Sequence, residues 1–403
     1  MRILYLSYYY LPHVGGGTWT TYNLSSQLAR RGHSVDLVTP NVVHTMTVSD
    51  AESSKLEIGN PSRLHRAPRV KLPRSLGPPL SALPVFLEAL RLRRRFDVIV
   101  SQHHPHHLTT CVSVLLGRVL GVPVVVRADD TYREMRVSFG FYDPFVKAFN
   151  TINESFLKRA SKVLVVTSES RVRLGARLRG RVPSFGVGLS PNGIDLQGLE
   201  SRRDGRGNRE ELMPSSKGGV ILFTGHFAGI QYGVELLLRA LSIARETVPG
   251  AELLLVGDAL TPATKSIVSS LGLGASVRAY PPQPPAEMYR FIDAADVCVG
   301  PLMPTQALPL KVIEYMACGK PVLTGLHSVT RDLAVDGFNC VVVPPEPGAI
   351  AKALVELLTD GDLRARLGSN AARTALGFTW ERIARDLEGQ LLEAVRRWNA
   401  HSR

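Results

Sequence analysis

The sequence predicts an α/β protein built from two doubly wound halves, and three observations predict it. Short runs rich in Val, Ile and Leu recur and rarely alternate with polar residues, the pattern of strands covered on both faces of a parallel sheet. Segments with a helical pattern separate these runs. The rhythm stops at a polar stretch, about 196–217, and restarts near residue 218. With 403 residues, the chain is long for one compact domain and comfortable for two.

In the first half, "RILYLSYY" (2–9) opens and a helical pattern follows to Arg31. "HSVDLVTP" (33–40) comes after Gly32, then "FDVIVSQ" (96–102), a helix through about Leu120, "VPVVVRAD" (122–129) and "KVLVVTS" (162–168). The second half reads "GGVILFTG" (218–225), "AELLLVGD" (251–258), "SVRAYP" (276–281), "ADVCVGP" (295–301), "KPVLTG" (320–325) and "CVVVPP" (340–345). Helices are predicted within it over 233–246 and 285–295. The halves are 1–195 and 218–378, with 196–217 as a linker. Ligands of such sheets bind beyond the carboxyl ends of the strands, where the strand order reverses. Two such domains facing each other make a cleft, so the residues that matter should follow strands.

At 44% hydrophobic, the chain has a core large enough to need no disulfide or metal. Cys111, Cys298, Cys318 and Cys340 form no CxxC pair and stand near no ligand-spaced histidine; they read as buried, reduced thiols of a cytoplasmic protein. Nothing resembles a signal peptide, and no apolar run reaches the ~18 residues of a membrane span. The formal charge of +13 implies an anionic partner. It concentrates at 63–96, 171–181 and 201–210. A generally basic surface is one reading. The sharper one docks 63–96 on an anionic lipid face at the inner side of the cell membrane, with Leu and Phe entering the interface. Nucleic acid is disfavoured, because no binding motif and no aromatic interleaving accompany the charge.

Five stretches carry candidate chemistry. Gly15, Gly16 and Gly17 follow the first strand and precede a helix, which suits close backbone approach to an anion. Their spacing is not GxGxxG, so a dinucleotide fingerprint is not supported. Asp129 and Asp130, also at a strand end, offer a carboxylate to accept a proton or orient a hydroxyl; a helix N-cap is the structural alternative. "QHHPHHL" (102–108) has the wrong spacing for a helical metal pair, and an imidazole lining the cleft, His103 or His104, fits better. "TGHFAGIQYG" (224–233) offers Gly225, a mobile loop and the donors His226 and Tyr232. In "QALPLKVIEYMACGKPV" (306–322), a helix is predicted from about Pro309 to Gly319. Its first-turn amides and Lys311 suit a phosphate, and Glu314 can accept two hydrogen bonds from a vicinal diol. A Glu stabilised by the helix dipole is the plainer account of Glu314 alone.

Together these stretches resemble family 4 glycosyltransferases over nearly the whole chain. "SPNGID" (190–195) and "EYMACGKPV" are the specific pieces, with "LPHVGGG", "GVELLLRAL", "LLLVGD" and the closing "FTWERIARDLEGQLLEAV" (378–395) in support. The resemblance implies the GT-B fold, two Rossmann-like domains with a last helix, 379–403, returning to the first. It implies retention of anomeric configuration, a nucleotide-sugar donor, UDP-linked, a lipid-linked or glycan acceptor, and no metal or other cofactor. Glu314 then matches the ribose-binding glutamate, Gly15 and Gly16 the loop near the donor diphosphate and the acceptor, and Asp129 and Asp130 a region contacting sugar or acceptor. Two departures stand out. Gln306 occupies the first position of the family's Glu-x7-Glu, and His226 and about Tyr232 stand where Arg and Lys commonly neutralise the diphosphate. They keep open a catalytically weak binding or scaffold protein, and a GT-B enzyme of other chemistry such as a nucleotide-sugar epimerase.

Overall fold

A computed structural model describes residues 1–13, 15–41, 49–68, 80–92, 95–104, 107–128, 144–178, 185–196, 199, 209–213, 218–225, 227, 233–283, 285–303, 309–326 and 332–401. The chain forms two compact units: Met1–Asn192 with Trp380–Arg403, and Gly193–Thr379.

The first unit is built on strands β1 (Arg2–Leu6), β2 (Ser34–Pro40), β3 (Arg63–Ala67), β4 (Val98–His103), β5 (Val124–Ala128), β6 (Lys162–Val165) and β7 (Val187–Leu189). They make a seven-stranded sheet in the order β3-β2-β1-β4-β5-β6-β7, parallel throughout. The order reverses between β1 and β4, so the loops after these strands flank the switch point. Two strands were not legible as runs of apolar residues. β3 is an edge strand reading "RLHRA", and its polarity is matched by Asp36 on β2, which is buried. Arg63 Nη2 lies 2.7 Å from Asp36 Oδ2 and His65 Nε2 2.9 Å from Asp36 Oδ1. β7, at the other edge, has only three residues.

Helix Trp380–His401 belongs to this unit. Its buried stripe, Trp380, Ile383, Ala384, Leu387, Leu391 and Ala394, has the three-and-four spacing of one helical face. Glu388 accepts from His33 Nε2 at 2.7 Å, and Glu393 from Lys162 Nζ at 2.7 Å. At the end of β5, the wholly buried Arg127 donates to Asn192 Oδ1 at 2.7 Å and to the Ser190 carbonyl at 3.0 Å. The guanidinium thereby fixes the start of the "SPNGID" segment, and its donors are matched by oxygens rather than left orphaned.

The second unit contains β8 (Val220–Gly225), β9 (Glu252–Gly257), β10 (Val277–Tyr280), β11 (Val297–Val299), β12 (Val322–Gly325) and β13 (Val341–Val343), ordered β10-β9-β8-β11-β12-β13 and again parallel. Here the switch point lies between β8 and β11. Successive β8 residues enter opposite cores: Val220 and Leu222 one, Ile221 and Phe223 the other. Leu254 and Val256 on β9 alternate likewise with Leu253 and Leu255. Both faces are covered, which is why these strands read as unbroken apolar runs. Within the stretch read as a polar linker, Leu199, Leu212 and Met213 are buried in this unit's core. Arg209 there pairs with Asp296, whose carboxylate also accepts from the Val220 amide at 2.8 Å. Cys298, Cys318 and Cys340 are buried, whereas Cys111 is only partly covered.

Helix Leu310–Ala317 packs against helix Gly361–Ala375 through two glycines. A Cβ at Gly368 would overlap the carbonyl oxygen of Gly319, whereas one at Gly274 would meet nothing within 4 Å. Gly368→Ala should therefore destabilise the second unit by about 2 kcal/mol, an overpacking cost. Gly274→Ala should leave its thermal melting almost unchanged, and calorimetric melting of both variants checks the contrast.

Candidate functional site

The second unit's switch point is occupied by one short helix and the end of one strand. Helix Leu310–Ala317 starts after Pro309, whose ring presets the backbone for a helix start, and stops at Gly319 with φ +69°. Val312, Ile313, Tyr315 and Met316 are buried, which anchors the helix, while Lys311 and Glu314, one turn apart, stay half-buried. The Tyr315 hydroxyl accepts from the Thr224 amide at 3.0 Å and bonds Thr224 Oγ1 at 2.7 Å. This clamp joins the helix to the end of β8. It joins residues 91 positions apart, and no local pattern announces it.

Lys311 completes the junction. Its Nζ donates to the Thr224 carbonyl and lies 4.0 Å above the Phe223 ring. Gly225 leaves room for that ammonium: its φ is +109°, and a Cβ there would stand 3.2 Å from Lys311 Nζ. Glycine alone adopts that backbone readily. Burial pushes the Lys311 pKa down to about 7, with Glu314 opposing the shift. Burial likewise pushes Glu314 up to about 7, with Lys311 opposing. A cation at a helix N-terminus also faces the unfavourable end of the helix dipole. The site thus holds a cation that a bound anion would relieve, beside a carboxylate that hydroxyl donors would relieve. The amides of the first helical turn point the same way. The arrangement suits a phosphorylated ligand carrying a diol.

In the first unit, Gly15 is the N-cap of helix Gly16–Arg30, partly covered, and Gly16 is exposed. They sit after β1, on one side of the switch point. The histidine run follows β4, on the other side. His103 does not line a surface: it is completely buried, its pKa is held down at about 4 by desolvation, and its Nδ1 bonds Thr110 Oγ1 at 2.8 Å. The expectation that either His103 or His104 would be accessible is corrected in favour of His104, because β4 continues through His103 and turns that side chain into the core. His104, His13 and Tyr9 are partly exposed and pack against one another, a grouping the sequence reading missed because the residues come from two separate loops. Among the described residues, no three His, Cys, Asp or Glu side chains are grouped to hold a metal ion. Asp129, Asp130, His226, Tyr232 and Gln306 lie outside the described residues.

Two family models match the chain, "Glycosyltransferase Family 4" over residues 14–197 and "Glycosyl transferases group 1" over residues 206–374. The O-antigen biosynthesis protein RfbC of Myxococcus xanthus is 32% identical over 44% of this chain, a match that spans 14% of its own length. The D-inositol 3-phosphate glycosyltransferase of Corynebacterium diphtheriae is 25% identical over 96% of this chain and 93% of its own. Among solved structures, Anabaena HepE in complex with UDP and glucose superposes with a TM-score of 0.75 at 18% identity, covering 98% of this chain and 100% of that one. With a glycosyltransferase model on each half and two parallel sheets of this topology, the chain is a glycosyltransferase of the GT-B fold, of the family 4 type.

Proposed function

We propose that this enzyme moves a sugar, with retention of configuration, from a UDP-linked donor to a lipid-linked or glycan acceptor. The observation that carries the donor half is the Lys311–Glu314 pair at the N-terminus of a helix, at the second unit's switch point. Glu314 accepts from the two ribose hydroxyls. Lys311 and the first-turn amides hold the diphosphate, and Gly225 lets it approach. His226 is next in sequence, at the position where the family commonly has Arg, and Gln306 contacts the donor sugar by hydrogen bonds without charge. Gly15 and Gly16 take the role of the family's loop near the donor diphosphate and the acceptor, and Asp129 and Asp130 contact sugar or acceptor. As the glycosidic bond to the diphosphate breaks, fixed dipoles and Lys311 stabilise the departing charge. The leaving phosphate takes the acceptor's proton on the same face, so no separate base is needed. That HepE was solved with UDP and glucose and that RfbC is an O-antigen biosynthesis protein support a UDP donor and a glycan acceptor. Gln306 favours one second reading, a catalytically weak binding protein, in which donor binds but transfer is slow.

The enzyme works at the inner face of the cell membrane in this proposal. Among the described residues, no helix is long and apolar enough to cross a membrane. Helix Ala82–Arg91 turns Ala82, Val85 and Ala89 inward and leaves Leu83 61% and Leu87 47% exposed, close to the exposed Arg91 and Arg95. Arg63, His65 and Arg66 are engaged with Asp36 and Glu57, and Arg91 with Glu88, so in this proposal the exposed leucines of the helix and Arg93 to Arg95 make the lipid contact.

Three outcomes are expected. Glu314→Ala should weaken UDP binding by roughly tenfold or more, the loss of a charge-assisted hydrogen-bond pair; calorimetric titration that finds unchanged affinity refutes the donor site. Glu314→Gln should stabilise the protein at pH 8 and change little at pH 5. The sign follows from the raised pKa: the stability held by the protonated carboxyl is complete below its unfolded value and is lost as pH rises through about 7. Discounted for partial exposure, the gain is on the order of 1 kcal/mol, read from melting at the two pH values. Charge reversal at Arg93 to Arg95 should reduce sedimentation with anionic vesicles, and equal sedimentation would remove the membrane contact.

A further inference from the structure

Strand β8 runs on past the end of its neighbour β11, and side chains complete what β11 leaves undone. Ile221 and Leu222 pair with Val297 and Cys298 of β11. Beyond Val299 the chain keeps to β12 instead. The Gly300 amide donates to the Leu323 carbonyl at 2.8 Å, and the Gly325 amide to the Pro301 carbonyl at 2.9 Å. In a parallel ladder, alternate residues turn both backbone groups to the same neighbour. Val220 turns its groups to the β11 side. Its carbonyl accepts from the Asp296 amide and its amide donates to Asp296 Oδ2, at 2.8 Å each. Thr224, four residues on, turns the same way, past the end of β11.

Helix Leu310–Ala317 takes that place. The Tyr315 hydroxyl accepts from the Thr224 amide at 3.0 Å, and the Lys311 ammonium donates to the Thr224 carbonyl. One helix thus satisfies both groups that a longer β11 would have bonded. Gly300 makes room for it: a Cβ there would stand 3.1 Å from Val312 Cγ2. Tyr315 is fully buried, so its hydroxyl is held away from water. Burial pushes its phenol well above the ordinary pKa. It therefore stays a hydroxyl, able to accept from the amide and to share a proton with Thr224 Oγ1 at 2.7 Å.

Lysine is a compact charge on a flexible stem of four carbons, so its position is set from outside. Here the supports are the Thr224 carbonyl and the Phe223 ring, 4.0 Å from Nζ. Both belong to the last residues of β8, and Tyr315 holds that end of the strand. We infer that Tyr315 is a positioning residue for the donor: through Thr224 it holds the Lys311 ammonium where the diphosphate is received. This inference rests on the donor site proposed above. It separates two roles within one helix, with Glu314 and Lys311 touching the ligand and Tyr315 acting through Lys311.

The test is a double-mutant cycle of Tyr315→Phe and Lys311→Met on the full chain. UDP affinity is read by calorimetric titration, and the weaker uridine affinity by displacement of UDP. The ratio of the two reports what the diphosphate adds. Tyr315→Phe should shrink that ratio about threefold to tenfold, the worth of one hydrogen bond, with uridine affinity within twofold of the parent. In the Lys311→Met background the same substitution should change the ratio by less than twofold, since the group it positions is gone. Thr224→Val removes only the Oγ1 contact. It should shrink the ratio about twofold to threefold, and it decides the matter where Tyr315→Phe fails to fold. Equal loss of UDP and uridine affinity overturns the inference, because a merely structural role would give that. So does an undiminished effect in the Lys311→Met background, or a ratio unchanged in both Tyr315→Phe and Thr224→Val. In those outcomes UDP binding that still depends on Lys311 leaves the donor site standing. A parent that binds no UDP, or a Lys311→Met variant that binds it as tightly, defeats the donor site and the inference together.

Discussion

Two ionisable side chains held one helical turn apart, both out of their ordinary titration range, organise the second unit's switch point. Lys311 and Glu314 are pushed toward each other's pKa by burial, and each limits the other's shift. Such a pair is costly unless something satisfies it. The fold meets the cost with a clamp of neighbours: Tyr315 bonded to Thr224, Lys311 bonded to the Thr224 carbonyl, and Gly225 leaving space for the ammonium. The same clamp sets the helix N-terminus at the end of β8. The chemistry and the topology therefore depend on one junction.

The two units solve the switch point differently. In the second, charge and helix amides gather around a place for an anion. In the first, the corresponding loops present rings, glycines and amides, with the buried Arg127 spent on backbone and Asn192 rather than on a ligand. On helix Ala82–Arg91, Leu83, Leu87 and Arg91, spaced four apart, share an exposed side.

Much of the fold was legible because buried parallel strands leave unbroken apolar runs, as β8 and β9 show with alternate residues in two cores. β3 was not, since "RLHRA" owes its place to Asp36, a partner 27 residues away that no local pattern reveals. β7 contains Gly188, where a side chain would overlap Gln390 of the returning helix, so its glycine marks a close approach and hides a strand. Buried Leu212 and Met213 were lost in a segment whose arginines dominated its reading. At the site, Glu314 was legible as a charge in an apolar helix. Tyr315 was not, since an apolar-looking aromatic in a core helix gives no sign of the hydroxyl contact that fixes its neighbours. His103 was misjudged for a related reason: a histidine at a strand end reads as accessible until the strand's last residue is known.

The most direct test of the paired-charge account is the proton exchange that accompanies donor binding, measured by calorimetry with UDP-glucose in buffers of differing ionisation enthalpy. The diphosphate of this ligand stays fully ionised across the range, so the exchanged protons belong to the protein. At pH 8, with its pKa lowered by burial, Lys311 should take up a proton as the diphosphate binds. At pH 6, with its pKa raised by burial, Glu314 should release one as it accepts the ribose hydroxyls. The account predicts uptake at pH 8, release at pH 6 and a change of sign near pH 7. Binding with no proton exchange at either pH, or with the same sign at both, would contradict it.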